Sequence, residues 1–147
     1  MEAKLQEIVK EKMKRCFPPC FSDNCPLGEH CVRRQASHLV DTYPVVMNVV
    51  NLANPDVAKE GCPMYKSDEP VRMAYGFTGL LDQLPLRSGK RLMELLTRAY
   101  CRTHAYEMRS GTRPMLPAIQ KQVEAWCREM KFEGPVTFDR YDMAYDL

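Results

Sequence analysis

The sequence predicts a mainly helical α+β protein, and three observations support this class. Apolar residues recur at helical spacing near the N-terminus and again over the C-terminal half, and a short run near residue 45 is rich in β-branched residues. The composition, 45% apolar and 27% charged in 147 residues, is typical of a folded globular chain. We therefore expect a single domain over residues 1–147, with a cysteine-rich half at 1–66 and a helical half at 67–147.

The N-terminal half is predicted to contain two helices and a strand. Residues 3–14 place Leu5 and Val9 on one face of an amphipathic helix, which should end before Pro18. A second helix is expected to begin near Pro26, whose ring suits the first helical position, and to run to about residue 41. Residues 43–51 are short, β-branched and followed by Asn-Pro, which favours a buried strand.

The C-terminal half is predicted to be helical with small β elements. A strand at 71–77 and a turn at 80–84 should precede a long helix, capped by Ser88 and ending near Arg109, with Gly111 as its stop. Another helix should begin at Pro117, stop before residue 134 and pack antiparallel to the long helix. Residues 136–138 are expected to form a short strand, and the aromatics beyond them to dock on the core.

Cysteines are concentrated in the N-terminal half. Cys16, Cys20, Cys25 and Cys31 fall within sixteen residues, and Cys62 follows. Thiolates bind zinc or iron-sulfur iron tightly, and four of them around one ion cross-link loops that have little core of their own. We predict Cys20, Cys25, Cys31 and Cys62 as the ligands, with Cys25 at a helix N-terminus and Cys16 as a spare.

Two alternatives to a structural zinc site stay open. The spacings match neither ferredoxin runs nor paired zinc knuckles, so an iron-sulfur cluster or a thiol-redox pair is the second hypothesis. The third is that the cysteines are small buried hydrophobes in a metal-free helical interaction domain. Burial is the preferred interpretation for Cys101 and Cys127, which should face the core inside helices. Neither His30 nor His38 is expected to be a metal ligand.

The sequence gives little support for an enzyme. It contains no nucleophile signature, no glycine-rich phosphate loop and no carboxylate cluster. Seven cysteines, a mixed-charge N-terminus and no membrane-length apolar stretch predict a cytoplasmic protein without disulfides.

A basic surface is expected on the C-terminal helices. Residues 87–131 contain ten Lys or Arg against four acidic residues, whereas residues 132–147 are acidic. Nucleic acid is one candidate partner, through Arg91, Arg98, Arg102 and Lys121. A protein partner or self-association is the other, and the acidic tail is a third possible occupant of the basic face.

Several short motifs resemble an uncharacterised bacterial family of small cysteine-rich proteins. They include CFSDNCPLGEHC at 20–31, CPMY at 62–65, AYGF at 74–77 and RSGTRP at 109–114. The resemblance implies an intracellular bacterial setting and no known activity. Because Gly111 alone would suffice to end a helix, we expect Arg109 and Arg113 beside it to contact an anionic group, or else to cap the helix or pair with the acidic tail.

Overall fold

The computed structural model describes residues 2–39 and 45–147. Within these ranges the protein is a mainly helical α+β fold, as predicted, with six α-helices and a two-stranded antiparallel sheet. The chain divides into two compact units: unit 1 comprises Met1–Pro70 with Tyr145–Leu147, and unit 2 comprises Val71–Ala144. That the two units form a single domain stays a prediction. No helix in the described ranges is long and apolar enough to cross a membrane.

Unit 1 begins with the predicted amphipathic helix, α1, at Ala3–Met13. Its apolar stripe is buried at Leu5 and Val9, which pack with Phe17, Val32 and Ala36. The last residues of the chain also belong to this core. Tyr145 and Leu147 pack against it, and the Lys12 Nζ donates a hydrogen bond of 2.6 Å to the Leu147 carbonyl.

The second predicted helix is much shorter than expected. A 3₁₀ turn covers Gly28–His30, and α2 covers only Val32–Ala36. Cys31 separates them in an extended conformation and forms an isolated antiparallel bridge with Ser67. Pairing with Ser67 requires an extended backbone at Cys31, so the helix is interrupted there in spite of the helix propensity of the surrounding residues. The predicted C-terminal end near residue 41 lies outside the described residues.

The strand predicted over residues 43–51 is wrong for its described part. Residues 45–51 form bends and irregular backbone, and Val45 and Val46 are almost fully exposed. Val50 alone in this run is buried, and its N–H donates to the Pro19 carbonyl at 3.0 Å. A β-branched run becomes a strand only where a partner strand or a covering surface exists, and among the described residues neither is present at Val45. Residues 43 and 44 lie outside the described residues.

Unit 2 contains the sheet, formed by β1 at Val71–Tyr75 and β2 at Arg140–Ala144. They pair antiparallel with Val71 opposite Ala144 and Tyr75 opposite Arg140. The Arg140 guanidinium lies 4.3 Å from the Tyr75 ring centroid, a cross-strand cation–π contact that reinforces the register. The second strand was expected at 136–138 and lies instead within the final aromatic run, where Tyr141 packs on the core.

Two further helices differ from the sequence prediction. The expected turn at 80–84 is a helix, α3, at Thr78–Gln83. The expected long helix is two helices, α4 at Leu86–Tyr100 and α5 at Arg102–Ser110, separated by Cys101 with φ 67° and ψ 163°. That backbone conformation is almost exclusive to glycine, so no local sequence signal indicates the break. Gly111 ends α5 with φ 82°, as predicted.

The last helix, α6, covers Pro117–Glu129 and begins at the predicted proline. Val123 and Cys127 on its inner face join the core of unit 2, which α4 also lines. That α6 runs antiparallel to α4 stays a prediction. The buried residues of this core are Ala74, Phe77, Leu80, Leu84, Leu92, Leu96, Ala105, Met108, Met115, Val123, Cys127 and Phe138.

One carboxylate fixes the start of α3 from a distant part of the chain. Asp139 accepts hydrogen bonds from the Thr78 N–H (2.8 Å), the Thr78 hydroxyl (2.8 Å) and the Gly79 N–H (2.9 Å). Its own N–H donates to the Gly76 carbonyl at 3.0 Å. Burial opposes ionisation of Asp139, but the bonds from Gly79 and Thr78 outweigh it and lower the pKa of the carboxyl. Asp139 therefore supplies the helix cap that α3 lacks locally.

Candidate metal centre

The four cysteines predicted as ligands line one small cavity in unit 1. Cys20, Cys25, Cys31 and Cys62 all contribute to its wall. The cavity has a volume of about 10 Å³, which is near the least space that holds a single water molecule. Cys20 and Cys62, which are 42 positions apart in the sequence, therefore line the same small cavity.

Backbone hydrogen bonds hold the first two segments of the cavity in place. The Cys20 N–H donates to the Arg33 carbonyl at 2.8 Å, which fixes the loop after α1 against α2. The Cys25 carbonyl accepts a bond of 3.0 Å from the Gly28 N–H, which closes the turn before the 3₁₀ segment. Cys25 thus precedes a 3₁₀ turn, and its predicted position at a helix N-terminus is wrong because residues 26–30 form a turn and a 3₁₀ segment.

The other two cysteines are held by pairing and by a tight turn. The bridge between Cys31 and Ser67 is flanked by a bond of 2.8 Å from the Val32 N–H to the Lys66 carbonyl. Cys62 follows Gly61, whose φ of 73° lets the chain turn, and its carbonyl accepts the Tyr65 N–H at 3.1 Å. The turn at residue 62 is therefore fixed locally.

The four thiols are partly withdrawn from water, and the charges of the other three affect the pKa of Cys20. Cys20 and Cys31 are each 7% exposed, and Cys25 and Cys62 are half-buried. Burial raises the pKa of the Cys20 thiol, a backbone hydrogen bond at Ser22 lowers it, and the charges of Cys31, Cys25 and Cys62 raise it further. Four thiolates would repel each other strongly here unless a cation joined them.

A half-buried arginine supplies positive charge at the cavity wall. The Arg33 guanidinium donates to the Pro18 carbonyl at 3.0 Å and lies 4.2 Å from the centroid of the Phe17 ring. Its Nε–H is buried without a hydrogen-bond partner, and no carboxylate pairs with it among residues 2–39 and 45–147. Burial lowers the pKa of Arg33, whereas Cys31, Cys20 and Cys62 raise it. Arg33 and the four cysteines line the same cavity.

The cysteines line the cavity without forming a coordination sphere as placed. In the described part of the chain, no group of three or more His, Cys, Asp or Glu residues is arranged so that it could hold a metal ion. Metal binding would require the four Sγ atoms to turn toward a common point. The shared cavity identifies which side chains would have to turn.

Sequence reasoning missed Arg33. Its only signal is its place two residues after Cys31, beside Arg34, which also lines the cavity and pairs with Asp23 at 3.0 Å. The two N-terminal histidines contact other side chains: His30 lies 3.5 Å from the Asp68 carboxylate, and His38 lies 3.1 Å from Arg34.

The remaining cysteines lie apart from the cavity. All seven cysteines are free thiols. Cys16 is exposed, and Cys127 is buried in the core of unit 2 as predicted, where burial raises the pKa of its thiol. Cys101 was expected to face the core inside a helix, and this prediction is wrong: it is exposed at the break between α4 and α5.

The basic residues predicted for binding occupy different parts of unit 2. Arg98, Arg102 and Arg109 line one open groove, whereas Arg113 pairs with Glu107 at 2.8 Å. The other two members of the predicted nucleic-acid set lie elsewhere: Arg91 pairs with Glu94 at 3.3 Å, and Lys121 lies on α6. A joint anion site for Arg109 and Arg113 stays a prediction. In the acidic tail, Asp146 pairs with Lys66 of unit 1 at 3.1 Å.

Fold and cavity together define a mainly helical α+β protein with a four-cysteine cavity. The chain belongs to a family of unknown function, DUF6078, whose profile matches residues 1–147. No curated protein and no solved structure is significantly similar to it.

Proposed function

We propose that unit 1 is a zinc module in which Cys20, Cys25, Cys31 and Cys62 hold one ion that stabilises the fold. The supporting observation is that these four side chains, from separate loops, line one cavity of single-ion size. Structural zinc sites are closed, four-coordinate and rich in cysteine, and they cross-link segments with little core of their own. The buried core of unit 1 outside the cavity consists of a few residues around α1, so a metal cross-link would add substantially to its stability.

The charge balance of the cavity supports the same proposal. Zinc with four thiolates carries a net charge of about −2, which needs compensation in a buried site. Arg33 supplies one positive charge and a buried Nε–H without a partner, suited to a sulfur acceptor. Cationic and N–H groups around a metal's ligands are the usual means of holding thiolates in place.

An iron-sulfur cluster is the alternative metal centre, and the volume of the cavity favours a single ion over a cluster.

We further propose a non-enzymatic binding role for unit 2, supported by its exposed arginines. We also propose a reducing bacterial cytoplasm as the setting, because seven unpaired thiols persist best in a reducing compartment.

The decisive experiment is metal content per chain, measured by elemental analysis on untagged protein purified without air. We expect about one zinc per chain. Cys25→Ser and Cys62→Ser should each lose the zinc and unfold at lower temperature. Cys16→Ser, at an exposed cysteine outside the cavity, should keep the zinc content and the unfolding temperature of the wild type. Adding a chelator should lower the unfolding temperature of the wild type toward that of the two cavity variants.

Three results would overturn the zinc proposal. Iron with sulfide and a brown colour would indicate an electron-transfer or redox centre instead. Protein that binds no zinc after refolding with the metal would indicate buried hydrophobic cysteines. Equal zinc loss in Cys16→Ser and Cys62→Ser would indicate adventitious binding to thiols in general.

A further inference from the structure

An open groove follows the outer side of α4 in unit 2. Its wall includes Leu86, Met93 and Arg98 of α4, together with Arg102 and Tyr106 of α5. From Leu86 to Arg98 the helix rises about 18 Å, at 1.5 Å per residue. The groove encloses about 630 Å³ and runs along almost the whole of α4, so we call it the α4 groove.

The floor of the α4 groove is apolar and partly uncovered. Leu81 and Met93 are half-buried, while Leu86 is 76% exposed and Tyr106 is 47% exposed. Large apolar side chains at such exposure, lining one groove, are typical of a surface that another molecule covers. A small ligand would leave much of Leu86 in water, whereas an extended partner surface would not.

Positive charge is distributed along the whole groove. Lys90, Arg98, Arg102 and Arg109 line it, and all four are exposed. The acidic residue in its lining is Glu94, which already pairs with Arg91. Cations spaced along a groove match several separate anions, and a ligand with a single anionic head would leave most of them unpaired.

These observations argue against nucleic acid as the occupant. Binding of single strands depends on successive aromatic platforms on which bases stack. Tyr106 is the aromatic residue in the groove lining, and the Arg102 guanidinium lies 5.7 Å from its ring centroid, over one of its faces. The rest of the floor is aliphatic or thioether, which suits Leu, Ile or Phe side chains better than bases.

We infer that the α4 groove binds an acidic, amphipathic segment of a protein partner, with apolar side chains on Leu86 and Met93 and carboxylates paired with Arg98 and Arg102. A helix of three to four turns spans about 18 Å, so one such helix would match the length of the groove. The inference rests on the proposed binding role of unit 2 and is independent of the zinc in unit 1.

The test selects ligands from a random peptide library displayed on phage, using the full-length protein as bait. We expect enriched peptides to combine Asp or Glu with apolar residues at helical spacing. Synthetic copies should bind about tenfold more weakly to Arg98→Glu and to Leu86→Ser, the loss typical of one important interface contact. Arg87→Glu is the matched control, because Arg87 lies on α4 outside the groove and is exposed, and it should change the Kd less than twofold.

Four outcomes would overturn the inference. They are no enrichment, enriched peptides without acidic residues, unchanged affinity in Arg98→Glu, and displacement of the peptide by a single-stranded oligonucleotide that binds more tightly. A dimer of the free protein that Leu86→Ser dissociates would also overturn it, since a second copy would then occupy the groove. Zinc content measured on the same preparations reports on unit 1 separately, so either proposal can fail alone.

Discussion

Replacing Arg33 by methionine should weaken zinc binding more than it weakens the fold. Methionine keeps an unbranched apolar side chain at this position but removes the guanidinium, which lies over the Phe17 ring, from a residue that lines the cysteine cavity. In a metal-free chain, the variant loses the bond to Pro18, worth about 1.5–3 kcal/mol for a charged donor, and a cation–π contact worth about 0.5–1 kcal/mol. Relief from burying a cation offsets part of this, so we expect a net loss of about 1–2 kcal/mol.

The substitution should also lower the affinity for zinc, because Arg33 would support the zinc ligands. Loss of a group that supports the ligands typically lowers metal affinity 10- to 100-fold, or about 1.4–2.7 kcal/mol. The assay is competition for zinc against a chromophoric chelator, with the visible spectrum of the Co²⁺-substituted protein as a report on thiolate geometry. Arg33→Lys keeps the charge and should recover part of the affinity. Arg34→Met should have a smaller effect, because Arg34 is already paired with Asp23.

One result would refute this reasoning. If Arg33→Met lowers the free energy of unfolding but binds zinc within twofold of the wild type, with an unchanged Co²⁺ spectrum, then Arg33 only packs against Phe17 and Pro18. The buried Nε–H would then have no role toward the sulfurs, and the charge argument for the metal centre would fail.

Three further predictions concern the stability of unit 2, measured by chemical unfolding. Asp139→Ala should cost about 1–2 kcal/mol, as loss of a helix cap does, whereas Asp142→Ala, which loses only a local bond to its neighbour Met143, should cost much less. Because the pKa of Asp139 is lowered in the folded state, its contribution to stability is present above the pKa of an unfolded aspartate and is lost as the pH falls through its folded value. Asp139→Asn should therefore make the free energy of unfolding fall less steeply with decreasing pH. An unchanged pH dependence would contradict the capping role. Gly111→Ala should cost about 1–2 kcal/mol, because φ is 82° and a Cβ would lie 3.2 Å from the Gly76 nitrogen. Gly89→Ala inside α4 should instead stabilise unit 2 by about 0.5–1 kcal/mol. A change of the same sign in the free energy of unfolding of both variants would contradict the argument.

The sequence predicted best where local physics decides the structure. α1 and α6 have apolar stripes at helical spacing, and both form close to the expected residues. Gly111 ends a helix because only glycine adopts its backbone conformation without strain. Cys20, Cys25, Cys31 and Cys62 line one cavity, but their role as ligands of one metal ion stays a prediction.

The predictions that failed depend on tertiary contacts. The break at Cys101 has neither glycine nor proline to signal it, and residues 45–51 have strand composition without a partner strand. The second strand was assigned to residues 136–138, yet pairing with Val71–Tyr75 selects Arg140–Ala144 instead. In each case the outcome depends on residues far away in the chain, which periodicity within a window does not report.

The pairing of Val71 with Ala144 has a topological consequence. The first and last residues of unit 2 are neighbours across an antiparallel ladder, with Cα atoms about 4.5–5.5 Å apart. Unit 2 is therefore an insertion between Pro70 and Tyr145, and its entry and exit points coincide. An insertion with adjacent ends can be enlarged, shortened or exchanged while its host chain needs only one short connection.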